Sequence, residues 1–345
     1  MVCERRQFIY ELQFTLYDSL SIMSGKLLII INQTAAKARR AWPDIKTKLE
    51  HRKVQFEAYE TIAPGDATER TRSALRFGFT TIAVVGGDGT LSETAEGFFE
   101  FGVDRNRLPW PINFPAALAI LPAGTGDDFA RGLIGNRAPV EHWIEKLISH
   151  QRQERENTVR LVDVMSGTCD NFTHQFICLN ASTMGIGGET AARVAAQGSL
   201  MRRLSGEVRF SAAAVGALGA WRERRVRVSI DGRESIDDRM NLVGVANGLY
   251  AGGGMMLSPK ARVDDGKLDV ITAAGLSRAG IIRELPRIHH GGHVANPRVR
   301  IEQGERVLIE TFSAADGMLI EADGNVRGRT PAEFRIMPGA LRFVV

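Results

Sequence analysis

Apolar residues along the opening half of the chain fall in short β-branched runs separated by helical stretches, the pattern of a parallel sheet with crossover helices. The runs predict strands at residues 26–31, 54–60, 80–85 and 117–121, with helices at about 36–51, 66–77, 91–101 and 140–149. Two glycine-rich breaks interrupt this alternation, Gly86-Gly87-Asp88-Gly89-Thr90 after the third strand and Pro122-Ala123-Gly124-Thr125-Gly126-Asp127-Asp128 after the fourth. Beyond a polar linker at 151–157 come closely spaced strand-like runs at 160–165, 175–180, 225–230, 241–246 and 268–273, with helical inserts near 189–196 and 208–221. That texture predicts an antiparallel β domain. The division expected is a poorly ordered extension over 1–23, an α/β domain over 24–157 and a β-sandwich domain over 158–330. The last runs, 333–337 and 340–345, are expected to return to pair with or pack on the first domain. No repeat or low-complexity segment is visible.

Composition narrows this picture modestly. A chain of 345 residues, 44% hydrophobic and 24% charged, is long enough for two cores. A formal net charge of +4 without a block of like charges permits an anionic partner and gives no sign of a nucleic-acid arm. Cys3, Cys169 and Cys178 have no metal-ligand spacing and are odd in number, which fits a reducing cytosol better than a disulfide framework. No apolar run approaches the roughly 18 residues of a membrane-spanning helix. Membrane contact is therefore expected to be peripheral. The first two dozen residues lack a signal-peptide pattern, with Met23 an alternative start.

Gly86-Gly87-Asp88-Gly89-Thr90 stands between a buried strand and a helix start, where free backbone N–H groups and the helix dipole favour a phosphate. Glycines let the chain approach phosphate oxygens, and Asp88 would hold Mg²⁺ beside a triphosphate. The plainer reading is a tight strand-to-helix turn with aspartate as a cap. Gly124-Thr125-Gly126 follows the next strand, and in a doubly wound sheet both loops would open on one crevice at the carboxyl ends of the strands.

These residues, with Ala63-Pro64-Gly65-Asp66-Ala67, Glu93, Asn247-Gly248, Gly252-Gly253-Gly254-Met255, Pro259-Lys260-Ala261, Asp264-Asp265-Gly266-Lys267-Leu268-Asp269 and Ala322-Asp323-Gly324, resemble the bacterial lipid kinases of the diacylglycerol, sphingosine and ceramide kinase family. The resemblance runs from about Lys26 to the C-terminus. It implies a Rossmann-like (NAD-kinase/diacylglycerol-kinase-like) nucleotide domain, a C-terminal β-sandwich lipid domain, ATP and Mg²⁺ as cofactors, and a lipid substrate met at a membrane surface. It also implies nucleotide contacts at Asn32, Thr61, Gly86, Gly87, Asp88, Gly89, Thr90, Gly124 and Thr125. Relatives usually read Asn-Pro-x-Ser-Gly after the first strand, whereas this chain reads Asn32-Gln33-Thr34-Ala35-Ala36-Lys37. Lys37 either reaches a phosphate or is a solvated helix lysine. The resemblance further places a structural metal on the Asp265 carboxylate with the backbone carbonyls of Arg262 and Lys267, where a plain hairpin turn is the alternative.

The largest departure is Asn325. Relatives carry a glutamate there that takes the proton from the lipid hydroxyl, and an amide cannot do so at neutral pH. The expectation is that Asn325 orients the acceptor while Asp88, Asp323 or a phosphate oxygen receives the proton. Two other functions stay open: an NAD-kinase-like small-molecule kinase, because the GGDGT turn is shared, and a non-catalytic nucleotide or lipid sensor, because of Asn325. His289, His290 and His293 read as a surface connector rather than a metal site. Arg202, Arg203, Arg222, Arg224 and Arg225 flank inserts bearing Leu200, Met201, Phe210 and Trp221, and read either as a lipid-headgroup dock or as a solvated face.

Overall fold

A computed structural model describes residues 25–104, 107–154, 157–198, 206–233 and 236–345. The extension at 1–23 therefore lies outside the described residues. The first half runs β1 (Lys26–Asn32), α1 (Ala36–His51), β2 (Glu57–Thr61), α2 (Asp66–Arg76), β3 (Phe79–Gly86), α3 (Asp88–Glu96), the small pair β4 (Phe99–Glu100) and β5 (Trp110–Pro111), β6 (Ala117–Pro122), α4 (Asp128–Ile134) and α5 (Val140–Gln151). The long strands pair in parallel in the order β2-β1-β3-β6. Helices pack on them in two layers, α1 with α5 and α2 with α3. With both faces covered, β1 buries Leu27, Leu28, Ile29, Ile30 and Ile31 without alternation, as a central parallel strand must. The face of α1 toward the sheet carries Ala38, Trp42, Ile45 and Leu49 at helical spacing.

The boundaries differ from expectation for local reasons. β2 starts at Glu57 rather than 54, because Val54 is buried at the end of α1 and returns its N–H to the Leu49 carbonyl. α3 starts at Asp88 and stops at Glu96, where a side chain on Gly97 would stand 2.6 Å from the Thr68 carbonyl of α2. Seven-residue α4 escaped the helical pattern altogether.

The second half runs β7 (Val159–Cys169), β8 (His174–Cys178), β9 (Ala181–Gly185), α6 (Ile186–Ala195), α7 (Gly206–Ala220), β10 (Arg224–Ile230), β11 (Ile236–Ala246), β12 (Leu268–Ala274), α8 (Arg278–Ile288), β13 (Val299–Gly304), β14 (Arg306–Thr311), β15 (Leu319–Ala322), β16 (Asn325–Arg329) and β17 (Ala332–Val344). Its antiparallel strands follow the order β16-β15-β9-β11-β10-β14-β17, with β12 and β13 branching from β11 and β7 and β8 from β17. The α/β-plus-β architecture expected from the sequence is the one observed.

The two closing runs form one strand, β17, whose register slips between Met337 and Leu341 at Pro338 and Gly339. Gly339 takes φ 58° there, a bulge that lets one strand serve two layers. β17 pairs antiparallel with β14 and β7 and in parallel with β6. Its Leu341, Phe343 and Val344 sit in the core of the α/β half, and its Ala332, Phe334 and Ile336 in the core of the β half. Phe343 lies edge-on to Phe129 of α4, with ring centroids 5.1 Å apart.

Phe343→Ala should therefore cost about 3–5 kcal/mol of stability. The expected readout is a clearly lower urea midpoint for unfolding of the α/β half.

Candidate active site

The carboxyl ends of β1, β2, β3 and β6 align, with Asn32 opposite Thr61 and Gly86 opposite Pro122. Asn32 uses its whole amide. Nδ2 donates to Thr90 Oγ1 at 2.7 Å, and Oδ1 accepts from Thr34 N, Thr34 Oγ1 and Ala35 N at 3.0, 2.7 and 3.1 Å. This Asx turn holds the first loop without the proline and glycine expected there. Exposed Lys37 donates from Nζ to the Gly124 carbonyl at 3.1 Å, which brings it to the second glycine loop. Thr61 is buried, its hydroxyl directed at the Ile31 carbonyl at 3.4 Å.

The glycine loops meet backbone to backbone. A Cβ on Gly124 would lie 2.6 Å from the Gly87 Cα, so neither position tolerates a side chain without separating the loops. The Asp88 oxygens accept from the N–H groups of Asp128 and Phe129, both at 3.0 Å. Asp88 thus caps α4, a helix in another loop, instead of its own. Asp127, at φ 49°, turns its carboxylate onto Gly124 N at 2.9 Å. Asp128 continues the chain of contacts into the β half, accepting from Gly253 N at 2.8 Å. Gly252, Gly253 and Gly254 all have positive φ, and a Cβ on Gly126 would stand 2.9 Å from the Gly253 Cα. Three glycine loops are therefore stitched by two aspartates. Arg137 fastens the middle loop, donating to the Thr125 and Gly126 carbonyls.

Desolvation is the leading electrostatic fact here. Burial, then the charge of Asp128, pushes the Asp88 carboxyl up to about 7, and burial likewise raises Asp128 and Asp127. Carboxylates so short of solvent are stabilised by a cation or by donors from a ligand.

A cavity of about 600 Å³ begins at Asp88, Gly89, Thr125 and Asp128 and extends between α6, α7 and α8 and the strands β11 and β12. Its walls are aliphatic, including Val194, Leu218, Leu242, Met255, Ile271 and Ile288. At the polar end, Asp128 Oδ1 and Asn180 Oδ1 are buried without partners; Nδ2 of Asn325, which does not itself line the cavity but lies beside Gly89, is likewise buried without one. Asp323, in a turn at φ 49°, is held by three backbone N–H groups: Leu179 at 2.7 Å, Asn180 at 3.0 Å and Ala181 at 3.1 Å. Its oxygens fasten the β15–β16 turn to the segment entering β9. That engagement speaks against the expectation that Asp323 receives a proton.

Residues 26–164 match the diacylglycerol kinase catalytic domain, and residues 183–345 match the YegS C-terminal NAD kinase beta sandwich-like domain. A "Probable lipid kinase YegS-like" protein of Pseudomonas aeruginosa (strain UCBPP-PA14) is 33% identical over 284 residues, covering 81% of this chain and 80% of its own length. The chain belongs to the diacylglycerol kinase family of lipid kinases. A diacylglycerol kinase of Mycobacterium tuberculosis (strain CDC 1551 / Oshkosh) is 27% identical over 303 residues, with 86% of each chain covered. A solved diacylglycerol kinase from Bacillus anthracis str. Sterne shares the fold at TM-score 0.63 and 20% identity, over 94% of this chain and 98% of that one. This kinase is accordingly a phosphotransferase with an alcohol acceptor, and membership of the family implies ATP as donor.

Other expected residues do not line the kinase's cavity. Asp265 accepts from Lys267 N at 3.1 Å, and Asp264 is ion-paired with Arg160 and Arg262. The organiser of that turn is Asp163, which the sequence reading missed. Its carboxylate accepts from Gly266 N and from Gly339 N of the β17 bulge, both at 2.7 Å. A lone aspartate in the apolar run of β7 was the available signal. Among the described residues no cluster of three or more His, Cys, Asp or Glu side chains is arranged for a metal. His293 corrects the surface-connector expectation: it is buried, with Nε2 at 3.1 Å from the Leu257 carbonyl. Leu200, Met201, Arg202 and Arg203 lie outside the described residues, as does the Phe210 side chain. Trp221 is buried beneath Arg224, and Arg225 pairs with Asp237, which leaves Arg222 exposed.

Gly124→Ala should weaken ATP binding by about tenfold or more (~1.4 kcal/mol) while leaving circular dichroism unchanged. Asp323→Asn, which turns an amide donor toward backbone donors, should cost about 1–3 kcal/mol in denaturant unfolding.

Proposed function

We propose that this kinase transfers the γ-phosphoryl group of ATP, with Mg²⁺, to the hydroxyl of a diacylglycerol-like lipid whose chains occupy the aliphatic cavity. The observation that carries this reading is the continuity of that cavity with Asp88, Gly89 and Thr125. A nucleotide's phosphates fit the free N–H groups at the start of α3, where backbone and helix dipole favour anions and glycine leaves room for them. Gly124 and Thr125 supply the facing wall, and Lys37, already at the Gly124 carbonyl, is within the same loop cluster.

The buried, mutually repelling carboxylates of Asp88 and Asp128 suit a divalent cation, with Asp88 as the residue to hold it. Bound there, Mg²⁺ would neutralise charge on the transferring phosphoryl group. Because the transition state is loose, the protein's share of the work is positioning and electrostatics. The unpartnered Asn325 amide beside Gly89 is suited to orient the acceptor hydroxyl. A second hard cation at Asp265, with the Arg262 and Lys267 carbonyls, is supported by the acids gathered around Asp163, whose carboxyl burial and the charges of Asp265 and Asp264 raise.

Contact with a bilayer is supported by the cavity's rim. Val215 and Ile282 line the cavity yet are 67% and 55% exposed; exposed Arg283 directly follows Ile282, and exposed Arg222 lies just beyond the helix that carries Val215. Apolar rim residues with flanking arginines suit an anionic lipid surface. Among the described residues no helix is long and apolar enough to cross a membrane.

With labelled ATP, Mg²⁺, NAD and a mixed lipid extract, label should enter the organic phase, and mass spectrometry should identify a phosphorylated lipid. Label in NADP alone would refute the proposal, and binding without turnover would favour a sensor. Asp88→Asn should lower turnover by about 10²-fold or more. Val215→Asp with Ile282→Asp should abolish sedimentation with anionic liposomes without altering ATP affinity.

A further inference from the structure

Of the expected proton acceptors, a phosphate oxygen belongs to the nucleotide, and the two side chains, Asp88 and Asp323, are engaged elsewhere in the protein. Asn325 is an amide, Asp323 is bound by three N–H groups, and both Asp88 oxygens accept from the first turn of α4. Three further carboxylates line the same cavity: Asp128, set beside Asp88 where a cation would sit, Glu284, which accepts from Arg287 and Asn296, and Glu321. Glu321, on β15 and two residues before Asp323, lines the cavity together with Asp88, Gly89 and Asn180. Its Oε1 accepts from Gly324 N at 2.5 Å, which fixes the side chain beneath the turn that carries Asn325. Its Oε2 accepts from the Thr183 hydroxyl at 2.7 Å. A hydroxyl can rotate its proton away, so Oε2 can exchange Thr183 for an incoming alcohol, whereas a backbone N–H offers no such freedom.

We propose that Glu321 is the catalytic residue that receives the proton of the lipid hydroxyl, from a strand neighbouring the position where relatives place that carboxylate. β15 and β16 are adjacent strands, with Ala322 opposite Asn325, so moving the acid from 325 to 321 keeps it within one hairpin. In the step itself, the lipid oxygen bonds to the γ-phosphorus and the bond from that phosphorus to the β,γ-bridging oxygen breaks. ADP leaves with the electron pair, and the hydroxyl proton passes to Oε2 of Glu321 and later to solvent. The assignment rests on the kinase reading above.

The surroundings suit a base near neutrality. Burial pushes the Glu321 carboxyl up to about 7, and the charges of Asp323 and Asp128 act in the same direction. β16 brings Arg327 and Arg329, the first paired with Glu96 at 3.0 Å and the second donating to the Gly317 carbonyl at 3.3 Å. α6 brings the Glu189–Arg193 pair, closed at 2.9 Å, and β8 brings the buried Cys178 thiol, whose pKa is raised. Each of these cations is engaged with another partner. The carboxylate form is the active one, so kcat/KM should fall as pH drops below about 7.

The test uses the full chain with MgATP and the lipid that the parent phosphorylates. Glu321→Gln keeps an oxygen for Gly324 N and an amide for Thr183, so the fold and ATP affinity should be retained. Turnover should drop by about 10²–10⁴-fold and the acidic limb of the pH profile should flatten. Adding Asn325→Glu to that variant should restore at least about tenfold of the rate by returning a base to the turn. Glu321→Gln with the parent's rate and pH profile would overturn the assignment, as would a loss of rate with the acidic limb intact and no rescue. A parent that labels no lipid would instead overturn the kinase reading itself.

Discussion

The site depends on two aspartates that are denied water and given backbone N–H groups in its place. Asp88 accepts from the start of α4, and Asp128, the first residue of α4, accepts from Gly253 in the β half. Each contact requires glycine on at least one side, because Gly87 meets Gly124 and Gly126 meets Gly253 at distances no Cβ could share. The glycines are therefore a packing requirement as well as an opening for phosphate. The two halves, each with its own core, meet at one crevice along this stitching, where burial raises both carboxyls.

Where periodicity and burial coincide, the fold was legible. The unbroken apolar run of β1 and the helical face of α1 admit one reading each. Legibility failed where a backbone contact, near or far along the chain, overrides the side-chain pattern. Val54 reads as strand and plugs a helix end, while Pro338 and Gly339 read as a break and make a bulge. The site was half legible. Its glycine loops carry a motif, and Asn32, Lys37, Gly87, Asp88 and Gly124 do converge. The cavity was invisible, because residues such as Leu242, Met255 and Ile271 come from separate elements and each reads as ordinary core. Glu321 was visible as a lone acid in a short apolar strand, and Asp323, two residues on in the Asp-Gly turn, is held by backbone N–H groups.

A carboxylate on β15 in place of one at the turn also bears on the acceptor. Glu321 stands among Asn180, Thr183 and the start of the aliphatic walls, so in the proposed reaction chemistry and chain recognition would share one lining. In a loose transition state, small differences in how a hydroxyl is presented set the rate. On the proposed reading, an acceptor that fills the cavity would bring its own hydroxyl to Glu321, and one that leaves the cavity empty would have little to orient it.

The sharing of β17 between two cores has a kinetic side. Its partners β6 and β7 lie far back in the chain, so their pairing closes very long loops before any reward from packing is collected. High contact order of this kind slows folding and leaves β6, β7 and β14 as unpaired apolar edges for as long as the last strand is missing. Refolding at high protein concentration should therefore be limited by aggregation of a nearly complete molecule rather than by formation of either half.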